Sequence, residues 1–146
     1  MVVALVGALI GSGVRIVDLA ARAQPNTDRR TVWDGVYSAD QAQRGQQQYA
    51  GACAACHKED LSGDGITPGL ADDGFLERWD KETVEDLFAR IKTTMPADGP
   101  GRLADADYLD VVAFLLKANG FPGGPSELTR AGNDSLKTIL IVRGKK

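Results

Sequence analysis

The sequence predicts an all-α domain, and three observations carry that reading. Two segments space their apolar residues at i, i+3, i+4 and i+7, as amphipathic helices do. No stretch before the C-terminal tail alternates apolar and polar residues in the manner of a half-buried strand. The third observation is chemical. Both cysteines and the only histidine of the 146-residue chain fall in five consecutive positions, Cys53-Ala54-Ala55-Cys56-His57, at the end of a helical stretch.

Residues 1–23 have the marks of an export signal or an N-terminal anchor. "VVALVGALIGSGV" is a short apolar run, and Ala21-Arg22-Ala23 before Gln24 fits the small-x-small cleavage pattern. No Lys or Arg precedes the run, and Gly11, Ser12 and Gly13 break it as a membrane span. Cleavage and retention as an anchor are both compatible with this pattern. It places the protein in the periplasm, and at the membrane only where the leader is kept.

Residues 24–37 are polar, contain Pro25 and lack periodicity, which predicts a linker arm. Ser38 is the expected N-cap of the first helix, with Gln41 completing a capping box, and the helix runs on through "ADQAQRGQQQYAGACAAC". Gly45 inside it costs about 1 kcal/mol relative to Ala. With Tyr49 one turn later on the same face, it predicts a close helix crossing. "LSGDGITPGLADDG" reads as an irregular loop. Asp80 is the expected cap of a second helix, "KETVEDLFARIK", with Val84, Leu87, Phe88 and Ile91 on its apolar face. "TTMPADGPGRL" is again loop. The strongest helix begins at Asp105, whose charge, with that of Asp107, suits a positive N-terminus, and Gly120 and Pro122 end it. The domain therefore spans 38–122. Residues 123–146 form a C-terminal extension in which "TILIV", 138–142, is a candidate strand.

A net charge of −3 and the lack of a basic stripe exclude a nucleic-acid binder. Acidic residues crowd positions 59–86, while Lys137, Arg143, Lys145 and Lys146 make the tail basic. The acidic stretch reads either as a solvated face or as a steering surface for a basic partner. Aromatic residues make up only 6 % of the chain, so the core rests on aliphatic side chains and leaves room for the bulk of a cofactor.

Cys-x-x-Cys-His is the attachment motif of c-type haem. Two thiols spaced by one turn can form thioethers with neighbouring vinyl groups, and the next residue presents its imidazole to the iron. Other readings of the pair fit less well. A disulfide across two residues is strained. A thioredoxin-like dithiol needs a preceding strand in a βαβ unit, and a zinc site needs four ligands where this chain offers three. Cys53, Cys56 and His57 are accordingly the expected attachment site of one covalent haem c, with His57 as proximal ligand. An electron-carrying haem takes a second strong ligand, commonly Met or His. With no second histidine, and Met1 in the leader, that leaves Met95, in a loop stiffened by Pro96. A five-coordinate iron or a borrowed lysine is the alternative.

These features together resemble the class I c-type cytochromes. The resemblance runs from about Trp33 to Pro122 and rests on "CAACH", the helix before it with Gly45 and Tyr49, "TPGL", "TMP" and "DYLDVVAFLLKANGFP". "WDGVYSADQAQRGQ" and "KANGFPGG" are most similar to the cytochromes that accompany bacterial quinoprotein alcohol dehydrogenases. The resemblance implies a class I cytochrome c fold, helices wrapped around one covalent haem, in which Gly45 and Tyr49 meet Phe114 or Leu115. It implies that Pro68 offers its carbonyl to the His57 imidazole, a bond that orients the ring and strengthens its basicity. It also implies that Trp79 lies near the haem propionates.

The expected function is single-haem electron transfer, without a catalytic residue, between a periplasmic dehydrogenase and a terminal acceptor such as an oxidase. Two alternatives stay open: a haem subunit of a dehydrogenase or oxidase complex, and a sensor or peroxidase in which a labile Met95 opens the iron, with Arg90 or Arg102 as the polar group beside it.

Overall fold

The computed structural model describes residues 29–131 and 136–144. The leader expected at 1–23 and the start of the arm lie outside the described residues. Five helices follow in order: α1 (Ala39–Ala52), α2 (Ala54–His57), α3 (Asp73–Trp79), α4 (Val84–Thr94) and α5 (Asp105–Ala118). Two short strands, β1 (Arg30–Thr31) and β2 (Ile139–Leu140), pair in parallel, with Arg30 opposite Ile139 and Thr31 opposite Leu140. The body is helical, as the periodicity predicts, with a class I cytochrome c fold.

The crossing of α1 and α5 organises the molecule. A Cβ placed on Gly45 would stand 1.8 Å from the carbonyl oxygen of Asp110, so only glycine lets the two backbones meet. The Tyr49 and Phe114 rings lie 5.2 Å apart at the same contact. Arg44 closes its flank with a bidentate bond to the nearly buried Asp110, at 2.8 and 3.1 Å. α5 ends in a Schellman motif. Gly120, at φ +82°, donates to Lys117 O, and Phe121 donates to Leu116 O.

Several local expectations give way to longer-range contacts. Ser38 caps α1 by accepting from the Gln41 amide at 3.0 Å, but the Gln41 side chain does not turn back to complete the box. It is buried, and its amide group makes both backbone bonds of Leu128, at 3.1 and 2.7 Å. The helix expected to continue through Cys56 breaks at Cys53.

α3 occupies residues 73–79, where sequence periodicity predicts no helix; Asp72 caps it by accepting from Phe75 N at 2.7 Å. Asp80 is the C-cap of α3 rather than the N-cap of α4. Thr83 caps α4 in a reciprocal box with Asp86 and so satisfies two donors, where Asp80 alone would satisfy one.

Residues on both sides of 38–122 enter the main core. Val32, Val36 and Tyr37 from the expected arm, and Leu128, Leu136, Ile139 and Ile141 from the expected extension, are buried there. Trp33 Nε1 donates to Val142 O at 2.9 Å, and Tyr37 Oη donates to Phe121 O at 2.6 Å. Within "TILIV", Ile139 and Leu140 form the strand. Among the described residues, no helix is long and apolar enough to cross a membrane.

Candidate haem-binding cleft

The site begins where α1 ends. Cys53 leaves helical geometry, with φ −127° and ψ −37°, and its carbonyl accepts from the amides of Cys56 (3.2 Å) and His57 (3.0 Å). One turn thus carries both thiols and the imidazole. The chain then reverses: Lys58 takes φ +63°, and its carbonyl accepts from the Tyr49 hydroxyl at 2.7 Å. Burial, reinforced by Cys53 and Asp60, pushes the Tyr49 phenol up to about 12, so it remains a donor at neutral pH.

The His57 ring is buried, with Nδ1 3.0 Å from the carbonyl oxygen of Pro68. That oxygen can only accept. Nδ1 therefore carries the proton, and Nε2 keeps a lone pair for a metal. Burial also pushes the Cys53 thiol up to about 11; Cys56 adds to the rise and Arg102 opposes it. A thiol held protonated is a poor attacking group, which argues against dithiol exchange. Both cysteines are free of disulfide.

Cys53, Cys56, His57, Pro68 and Met95 all line a single cleft of about 1330 Å³. The volume exceeds the roughly 300–1,000 Å³ of ordinary small-molecule pockets. Leu70, Phe75, Leu87, Ile91, Val111 and Leu115 give it apolar walls. Met95 caps the C-terminus of α4. Its amide donates to Ile91 O at 2.8 Å, and its carbonyl accepts from the Tyr108 hydroxyl at 2.8 Å. Its backbone is thus tied to α4 and α5 together.

A large apolar slot with two thiols on one turn, an imidazole held in the ligating tautomer, and a thioether fits a covalently attached macrocycle. Trp79, Arg78 and Arg90 line the same cleft. Arg44, Arg102, Arg130 and Arg143 each pair with carboxylates. Among the described residues, Arg78 and Arg90 have no carboxylate partner, which suits them to the acidic groups of a haem.

The attachment motif and the candidate ligands His57 and Met95 stand out in the sequence because they are rare residue types. Arg78 and Tyr108 were not. Arg78 sits on the unanticipated α3, for which Asp72 followed by Phe75, Leu76 and Trp79 was the available signal. Tyr108 looked like one more apolar position of α5, whereas its hydroxyl holds the Met95 loop.

The fold and cleft define a monohaem c-type cytochrome, an electron-transfer protein carrying covalently bound haem c. The family model described as cytochrome c oxidase, cbb3-type, subunit III matches residues 40–115, just over half of the chain, and the protein belongs to that family. The matched stretch opens in α1 and closes in α5, so it contains the attachment turn, Pro68 and Met95 and leaves out both flanking segments. No curated protein and no solved structure matches the chain significantly.

Proposed function

We propose that this chain is a periplasmic single-haem carrier in which thioethers to Cys53 and Cys56 hold the haem and His57 and Met95 ligate its iron. It passes electrons from a dehydrogenase to a terminal acceptor. A haem ligated on both faces supplies one-electron exchange between ferrous and ferric iron with little ligand movement. The observation that carries the reading is the 3.0 Å bond from His57 Nδ1 to Pro68 O, beside a cleft that Met95 also lines. That bond holds the imidazole in the ligating tautomer and raises its basicity. The apolar walls keep water from the site, which favours the reduced state and a positive midpoint potential.

The reduced holoprotein should show an unchanged spectrum under carbon monoxide, because both axial positions are filled. A shifted spectrum would instead mark a labile Met95 and support the sensor or peroxidase reading. Met95→Ala should abolish the weak long-wavelength band of methionine-ligated ferric haem. A clearly negative midpoint potential would contradict the assignment.

The donor reading rests on "WDGVYSADQAQRGQ" and "KANGFPGG", which resemble the cytochromes of quinoprotein alcohol dehydrogenases. The family's own description favours a second reading, a haem subunit within an oxidase complex. Mild solubilisation and co-purification from native membranes and periplasm separate them. A free carrier elutes alone, and a subunit elutes with its complex.

A further inference from the structure

The C-terminal segment outside the family match holds one wall of the haem cleft in place. α3 supplies Phe75, Arg78 and Trp79 to that wall, and the turn from Asp80 to Thr83 continues it through Glu82. Within the turn, Glu82 N donates to Trp79 O at 3.1 Å. Lys81 sits at φ +71°, a left-handed conformation that a residue with a Cβ rarely adopts. Two further bonds to the turn come from far along the chain. Lys81 N donates to Ile141 O at 2.7 Å, and Ile141 N donates to Glu82 O at 2.8 Å.

Leu140 bridges Thr83 on one side while pairing with Thr31 on the other. Arg143 N donates to the Asp80 carboxylate at 3.1 Å, and its guanidinium reaches Glu77 at 3.3 Å and Asp73 at 3.8 Å. One five-residue stretch therefore grips α3 at its first residue, its fifth and its C-cap. Its own Ile139 and Ile141 are buried, and Trp33 secures it through a bond to Val142 O.

We propose that Ile139–Arg143 is a positioning strap: it sets the Trp79 wall against the haem and thereby sets how much water reaches the cofactor, with Arg143 as its adjustable contact to α3. The proposal rests on the haem occupying this cleft. Burial is one of the levers on a haem potential, so releasing the strap lowers the potential without touching a ligand.

The test compares the holoprotein with a chain ending at Thr138, with Arg143→Gln and with Arg143→Lys. Amide exchange across 79–84 should accelerate at least tenfold in the truncated chain, while the α1–α5 crossing keeps its protection. The reduced-to-oxidised ratio at fixed poise should fall about tenfold, 59 mV for one electron. Arg143→Gln should shift the ratio about threefold in the same direction, and Arg143→Lys should restore it.

Unchanged potential together with unchanged exchange at 79–84 overturns the proposal. So does exchange that rises equally at the crossing, because the tail then acts through global stability. A truncated chain that fails to fold leaves the Gln and Lys variants to decide by the same readouts. Absence of covalent haem from the wild type refutes the cofactor reading instead, and the exchange comparison still reports on the strap.

Discussion

The attachment turn and the Trp79–Thr83 rim line the same cleft but are held over very different chain distances. The turn is secured by near neighbours: Tyr49 bonds the Lys58 carbonyl and Pro68 bonds His57. The rim has one local bond, Glu82 N to Trp79 O, and is otherwise secured by Ile141 and Arg143, about sixty positions further along. A motif built from near neighbours leaves its signature in a short window of sequence. A wall built from distant partners leaves none, because a backbone bond to Ile141 asks little of the residue types at either end. The chemistry thus sits on the locally determined side, and its adjustment on the non-local side.

The largest expected effect breaks the local half. Replacing Cys53 and Cys56 together by Ala should abolish covalent haem, so acidified organic solvent should extract all colour from the denatured chain. Retained colour would contradict the assignment of the turn.

Next is the crossing that seats the turn. Gly45→Val places side-chain atoms on the Asp110 carbonyl and should destabilise the fold by about 3 kcal/mol, measured by denaturant titration. Gln41→Leu tests the non-local half. It leaves the buried amide and carbonyl of Leu128 without partners and should cost about 2 kcal/mol. If the variant is neutral, the tail near Leu128 is not held as described.

Tyr108→Phe removes the single bond to Met95 O and should cost about 1 kcal/mol. A weakened methionine–iron band at unchanged haem content would show that this hydroxyl steadies the ligand loop. The smallest effect is acidic. The Thr83 hydroxyl and then the Thr83 amide hold the Asp86 carboxyl below its ordinary value. The folded pKa is lowered, so this contribution is present above the unfolded value near 4 and is lost as pH falls through the folded one. Asp86→Asn should therefore flatten the acid limb of the stability curve slightly, leaving its neutral plateau lower.

Much of the helical framework was legible: α5 with its Gly120 stop, the apolar face of α4, and the Gly45–Tyr49 contact. Capping was legible only in part. Ser38 was visible as a cap, but nothing near Gln41 announces that its side chain turns to Leu128. The Asp80 expectation failed for a related reason. A lone acid before a helix resembles a cap, yet the Thr83–Asp86 pair competes better and Asp80 is drawn to the Arg143 amide. α3 has seven residues, too few for a full period of apolar spacing to show.

Residue order alone determined which side chains are the candidates to bond a macrocycle and its iron, and which residue permits two helices to touch. Those choices depend on rare side chains at fixed spacing, a property of the chain before it folds. Tertiary structure alone decided that Arg30–Tyr37 and Leu136–Arg143 close the core, that Tyr108 holds the Met95 loop, and that Ile141 braces the cleft rim. Backbone hydrogen bonds and aliphatic burial are nearly indifferent to residue identity, so such contacts become specific only once distant segments have been brought together.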